Sequence, residues 1–244
     1  EIYTLSLHDA LPISLGQKAG GGIFRKAGRE IQVLDLGSGD YRASTGGVAP
    51  EVDQILKNRN AAERFAALRA SSHPQAQFLW AMFRDVFHYC AYHLAGIADN
   101  ARDVDFAMRW GYGWAQGPFE IWQTAGWKAI AGYIAEDIAA GKAMSKVPLP
   151  AWVAARDDVH RAEGSYSAAE DALKPRSTLP VYTRQIFPDL IVGEQHDRGE
   201  TLEENDSVRI WRMPKLDSRI AILSFKSKMH SLGKGVVEGI YRAV

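Results

Sequence analysis

DVDFAMRWGYGWAQGPFEIWQTAG, residues 103–126, gathers three of the chain's seven tryptophans into one glycine-punctuated passage. Two short helices meeting across a turn account for it. Asp103 is a residue type that caps a helix start, and Val104, Ala107, Met108 and Gly111 follow at helical spacing as an apolar stripe with a permissive end. Gly111 and Gly113 allow backbone angles that a side chain resists. Gly117 followed by Pro118 restarts the chain as a second helix with proline in its first turn. Aromatic residues around glycines in such a corner point to close helix packing.

Helical periodicity extends on both sides. Upstream, residues 60–70 are alanine-rich with Phe65 and Leu68 on one side, and Ser71, Ser72 and Pro74 stop them. From Gln75 to Ile97 the residues Leu79, Phe83, Val86, Cys90, Leu94 and Ile97 step by three and four, and Phe78, Met82 and Phe87 widen the stripe. So broad a face predicts a central helix packed on more than one side. His88 and His93 lie on it five residues apart, a spacing that separates them around the axis and does not suit a metal. Downstream, Trp127 to Ala140 reads as another amphipathic helix through Ile130, Ile134 and Ile138, with Gly141 as its stop.

The flanks differ in character. LGQKAGGGIFRK, residues 15–26, is glycine-rich, but it has neither the preceding strand nor the following helix that a phosphate-cradling loop requires. IQVLDLGSGD, residues 31–40, looks like the first motif of methyltransferases that bind S-adenosylmethionine. The helix which that motif needs is missing from YRASTGGVAP, residues 41–50. A β-hairpin fits better: a strand over 31–36, a Gly-Ser-Gly-Asp turn and a return strand at Tyr41. Beyond Trp152, residues 156–177 are polar and alanine-rich, consistent with a solvated helix or connector. Residues 178–192 read as extended around Pro180 and Pro188, and 194–206 as an acidic loop. Two strands, Val208 to Met213 and Arg219 to Phe225, then lead into a helix near Ser231, with Leu232, Val236 and Ile240 inward and Val237 or Tyr241 beside them.

Composition bounds the partners. Lys plus Arg and Asp plus Glu balance at 29 each, which leaves no electrostatic footprint for nucleic acid and no polybasic membrane patch. Cys90 is the one cysteine, so an internal disulfide and a cysteine-based zinc cluster are excluded and a reducing cytoplasmic setting is expected. No run approaches the ~18 apolar residues of a spanning helix. The opening EIYTLSLHDALPIS, residues 1–14, resembles translated sequencing-adapter sequence and is set aside as non-native. The amphipathic C-terminal helix stops without a cap, so a fragment cut at both ends is the expectation.

These blocks, in this order, carry a family resemblance. DVDFAMRWG followed by GPFEIWQTAG resembles the helical C-terminal domain of the L-3-hydroxyacyl-CoA dehydrogenases. LGQKAGGGIFRK is similar to the tail of an earlier copy of that domain, departing from it at Ile23 and Phe24. ILSFKSKMHSLGKGVVEGI, residues 222–240, resembles the opening strand and helix of a crotonase-fold enoyl-CoA hydratase, with His230 where asparagine is usual. That order is the one seen in bacterial proteins fusing 3-hydroxyacyl-CoA dehydrogenase to enoyl-CoA hydratase in fatty-acid β-oxidation.

The resemblance implies a mainly α fold. A dehydrogenase C-terminal-type helical domain over 51–155 is preceded by a domain tail and hairpin over 15–50. A connector over 156–206 follows it, then the start of an α/β crotonase fold over 207–244. It implies NAD as the parent protein's cofactor, held by a Rossmann domain outside this chain, and acyl-CoA as substrate. The partners it implies are the preceding dehydrogenase domains, the following crotonase domain, and a thiolase or a second copy of the chain. It gives this piece no catalytic residue and no metal. The turn after the crotonase strand brings Lys228 and Ser231 forward as contacts for the CoA moiety. Two other classes stay open: a non-catalytic helical binding or dimerisation module, and a methyltransferase piece resting on VLDLGSGD.

Overall fold

The computed structural model describes residues 21–44, 46–185, 187–195 and 197–244. The adapter-like segment 1–14 and the glycines at 16 and 20 lie outside them. The chain divides into two units, one up to Trp80 and one from Ala81 to Val244.

In the first unit, β1 (Phe24–Ala27), β2 (Glu30–Leu34) and β3 (Tyr41–Ala43) form an antiparallel meander. The hairpin at 31–41 is therefore present, with β2 ending two residues before Leu36. The glycine-rich run feeds β1, so its downstream element is a strand and no helix opens there. Two helices follow, α1 (Pro50–Lys57) and α2 (Ala61–Ala70). Asn60 caps α2, its side-chain oxygen accepting the Ala62 and Glu63 amides at 3.1 and 3.3 Å. Val52, Phe65, Leu68 and Trp80 are buried, and the Phe65 and Trp80 rings meet edge-on at 6.5 Å.

The long helix α3 (Pro74–Ile97) contains the boundary between the units. Its buried side is rotated from the apolar stripe read in sequence. Ala76, Trp80, Arg84, Phe87, Ala91 and Leu94 are inside, while Phe78 and Ile97 face solvent. The rotation is stabilised by polar residues that find buried partners. Arg84 pairs with Asp85 and with Asp137, and the imidazole Nε2 of His88 lies 2.7 Å from the Val147 carbonyl. Burial opposes the Arg84 charge, but the two carboxylates outweigh it and raise its pKa.

Then come α4 (Ala101–Tyr112), α5 (Pro118–Thr124), α6 (Trp127–Ala139) and the single turn α7 (Ala151–Ala154). Asp103 does not cap α4. Asn100 does, accepting the Arg102 amide at 3.0 Å and donating its own side-chain N–H to Asp103, which sits in the first turn. The helix also runs through Gly111 and ends at Gly113, whose φ of 71° is left-handed. Gly141, with φ of 69°, terminates α6 as expected. Between these helices lies an aromatic core: Trp122 stacks on Trp127 at 4.2 Å and on Phe87 at 5.5 Å, and Trp127 stacks on Trp152 at 5.9 Å. The indole N–H groups of Trp122 and Trp127 donate to the carbonyls of Trp127 and Val153, so burying them strands no donor.

Residues 156–177 are not a solvated helix. They form the antiparallel sheet β4 (His160–Arg161), β5 (Gly164–Ser167) and β6 (Ala172–Lys174), and all four residues of β5 are buried. After one helical turn, α8 (Pro180–Thr183), the acidic stretch read as a loop contributes β7 (Glu200–Glu204). This strand pairs with β8 (Val208–Arg212), which pairs in turn with β9 (Ala221–Phe225).

A short 3-10 turn, Lys228–His230, delays the last helix, α9 (Lys234–Ala243), by three residues relative to Ser231. Of the apolar residues assigned inward, Val236 is buried and Leu232 is exposed. The helix instead approaches its sheet through glycine: a Cβ at Gly239 would fall 2.4 Å from a Val208 methyl, and one at Gly235 2.2 Å from the Ser207 hydroxyl. No helix among the described residues is long and apolar enough to cross a membrane.

Candidate functional site

The corner between α4 and α5 holds the most concentrated buried chemistry in the second unit. Helix α5 begins at Gly117–Pro118, and glycine has no side chain with which to cap it. Asp105, one turn into α4, supplies the missing acceptors. Its Oδ1 accepts the Phe119 amide at 2.8 Å and its Oδ2 the Glu120 amide at 3.0 Å. The approach is so close that a Cβ at Gly117 would lie 2.3 Å from the Asp105 Cα. Glu120 completes the start by accepting the Gly117 amide at 2.9 Å on one oxygen and the Val192 amide at 3.2 Å on the other.

Asp105 also anchors the small sheet. His160 Nε2 lies 2.8 Å from Asp105 Oδ2, and His160 Nδ1 lies 2.9 Å from Ser165 Oγ. A carboxylate has no proton to give, so Nε2–H donates to Asp105, and in the neutral imidazole Nδ1 then accepts the Ser165 hydroxyl. Gln123 clamps the same strand, its Oε1 accepting the Val159 and His160 amides and its Nε2 donating to the His160 carbonyl, each at 2.9 Å. Burial pushes the Asp105 carboxyl above its ordinary value, against the opposing pull of His160 and the Phe119 amide.

In connectivity this is an aspartate–histidine–serine relay of the kind that activates a nucleophile. Its environment is the opposite of a catalytic one. Asp105 and Ser165 are fully buried and His160 is 1% exposed, so no substrate carbonyl reaches Ser165 Oγ. The relay joins α4, α5, β4 and β5. None of its residues was singled out in the sequence, although the uncapped Gly-Pro start of α5 signals that an acceptor must come from elsewhere.

A second clasp involves the segment after α8. Glu194 accepts from Arg176 at 2.9, 3.0 and 2.6 Å and from Arg102 Nε at 3.1 Å, and it also takes the Ile191 amide at 3.1 Å. Burial raises the Glu194 carboxyl, but these donors and charges outweigh it and hold the group below its ordinary 4.5. Cys90 is buried in α3. Burial, aided by the Asp105 charge, pushes its thiol up to about 12, so at neutral pH it is a protonated packing group.

The nucleotide-like motifs do not fit a dinucleotide or S-adenosylmethionine. The turn between β2 and β3 points its Gly37 and Ser38 amides at Asp35 Oδ1, at 2.9 and 3.2 Å. The anion in this turn is the protein's own carboxylate, which those amides hold below its ordinary pKa. Every strand pair among the described residues is antiparallel, so the parallel strand–helix–strand cradle for a pyrophosphate is not built here. Lys228 and Ser231 sit together in the exposed turn between β9 and α9, where the Lys228 carbonyl accepts the Ser231 hydroxyl at 3.0 Å. Met229 and His230 between them have left-handed φ of 57° and 53°. His88 and His93 meet tyrosines of the same helix: His88 stacks on Tyr92 at 6.2 Å, and His93 lies tilted against Tyr89 at 4.4 Å.

No family model matches the chain, and no solved structure matches it. A Bacillus subtilis (strain 168) protein named probable 3-hydroxyacyl-CoA dehydrogenase is 25% identical over 234 residues. The match covers 94% of this chain, which spans 28% of the length of that relative. The similarity supports the dehydrogenase resemblance. A mainly helical architecture with small sheets fits a C-terminal-type domain of such an enzyme.

Proposed function

We propose that this chain is a scaffold portion of a 3-hydroxyacyl-CoA dehydrogenase that also carries an enoyl-CoA hydratase, acting in cytoplasmic fatty-acid β-oxidation. The parent would oxidise L-3-hydroxyacyl-CoA with NAD. The observation that carries the reading is the similarity running through 94% of this chain and 28% of a dehydrogenase-named relative. In this reading the helices over 51–155 wall the acyl-CoA cleft and pack on the preceding dehydrogenase domains. Residues 207–244 open the crotonase domain. Lys228 contributes a positive charge and Ser231 a hydroxyl to the CoA phosphates. NAD is held by another domain of the parent, since the glycine turn here is filled by Asp35. The proton chemistry belongs to that domain as well, because the acid–base residues of the α4–α5 corner are sealed from solvent. A thiolase subunit or a second copy completes the assembly.

Two measurements test this. DNA flanking the reading frame should encode a nucleotide-binding domain upstream and the rest of a crotonase fold downstream, in frame. A frame closed by its own start and stop would sink the proposal. The isolated chain, mixed with NADH and a 3-ketoacyl-CoA, should leave NADH absorbance unchanged, and steady turnover would refute the scaffold role.

A further inference from the structure

Helices α3 and α4 of the second unit enclose a groove of about 1070 Å³, joined on one side by the loop at Met144 and Ser145. Four large apolar side chains line it while remaining exposed: Met82 at 36%, Tyr89 at 56%, Ile97 at 53% and Met144 at 84%. Apolar patches of this kind on a folded surface mark recognition sites, and methionine adapts its shape to what it meets. At one end the wall is made of Ala95, Gly96, Ala98 and Ala107. A Cβ at Gly96 would meet nothing within 4 Å, so a backbone can approach closely there.

The charge of the groove is one-sided. Among the described residues its lining holds Asp85, Asp99 and Asp103, with His88 bonded to the Val147 carbonyl, and no lysine or arginine. Asp85 is paired with Arg84 at 2.9 Å, a cation it shares with Asp137. Asp99 and Asp103 are exposed; Asp103 accepts the side-chain N–H of Asn100 at 3.0 Å and feels the charge of Arg102, a cation whose own partner is Glu194. Lys174, a cation that acts on both aspartates, is itself paired with Glu170 at 2.5 Å. Burial, followed by the charge of Asp99, pushes the Asp103 carboxyl above its ordinary value, a strain that an incoming cation would relieve.

We propose that the α3–α4 groove docks an amphipathic helix of a partner protein, its apolar stripe seated on Met82, Ile97 and Met144 and a flanking lysine or arginine meeting Asp99 and Asp103. Helix-in-groove docking reads such stripes at i, i+3, i+4 and i+7. The site stands independently of the dehydrogenase reading, because it rests on the shape and charge of one face.

The test uses the whole chain and a dye-labelled helical peptide of leucine and lysine with leucines at those spacings, alongside a twin carrying glutamate in place of lysine. Fluorescence anisotropy should show saturable binding of the lysine peptide at one site and much weaker binding of its twin. The double variant Asp99→Asn/Asp103→Asn should lose roughly fivefold to tenfold in affinity for the lysine peptide, as expected of two exposed ion pairs, with less salt dependence. Ile97→Glu, at an exposed position that leaves circular dichroism unchanged, should abolish binding. Equal binding of both peptides, no saturable binding, or indifference to Ile97→Glu would overturn the proposal. Displacement of the lysine peptide by palmitoyl-CoA would overturn it in favour of a ligand groove. A concentration-dependent dimer broken by Ile97→Glu would overturn it in favour of a second copy.

Discussion

Asp105 is required by four structural elements at once. It closes the start of α5 with two amide hydrogen bonds and holds β4 and β5 through His160 and Ser165. Removing one partner of a buried charged network leaves the others unpaired in a low-dielectric interior, which costs more than the lost bond itself. Asp105→Ala is therefore expected to lower stability by about 3–5 kcal/mol, read as the shift of a urea transition. Asp103→Ala, at a solvent-facing first-turn position, should cost under about 1 kcal/mol. Cys90 gives a second test at this scale. With its thiol pushed up to about 12 by burial, it should resist Ellman's reagent in the native chain and react in denaturant. Rapid native labelling would show the helix face to be open.

At the scale of elements, two contacts are set by side chains distant in sequence. Helix α9 reaches β8 through Gly239, so Gly239→Ala must displace Val208. A loss of about 1–3 kcal/mol is expected from thermal or urea unfolding, as for other overpacked contacts. The Glu194 clasp carries a pH signature. A carboxyl held below its unfolded value stabilises the fold above that unfolded value. The contribution disappears as pH falls from about 4.5 toward the lower folded value. Glu194→Gln should therefore be clearly less stable than the parent at neutral pH, and the gap should close as unfolding is measured below pH 4.5. A gap that is constant with pH would assign the effect to packing. The same scale explains the misplaced edges of the sequence reading. Asn100 takes the cap from Asp103 because helix α4 starts two residues before it, and β7 forms in an acidic stretch because β8 offers a partner ladder.

Across the whole molecule, the absence of an open reactive centre at the α4–α5 corner has a direct consequence. A fluorophosphonate serine probe should leave Ser165 unlabelled in the native chain, because the hydroxyl is fully buried and serves as a donor to His160. Labelling there would convert a structural relay into a catalytic one. Lys228 and Ser231 are positioned differently, exposed together in the turn before α9, where the Ser231 hydroxyl donates to the Lys228 carbonyl.

Local pattern alone determined the helices over 61–97 and 101–139, the hairpin at 31–41 and the strand pair that leads into the last helix. In each of these, residue spacing and glycine or proline punctuation act within a few turns of chain. Tertiary structure decided the rest. It turned α3 so that Arg84 and His88 lie inside, since Asp85, Asp137 and the Val147 carbonyl satisfy them there. It folded polar residues 156–177 into a buried sheet, because Gln123 and Asp105 meet the polar groups of His160 in β4 from 37 and 55 residues away. Polarity reads as surface only until a partner is known, and these partners lie too far along the chain for any local pattern to reveal. The same holds for the motif at residues 103–126: its glycines and aromatics announce a tight corner, but that Asp105 closes it is visible only once α4, α5 and the small sheet stand together.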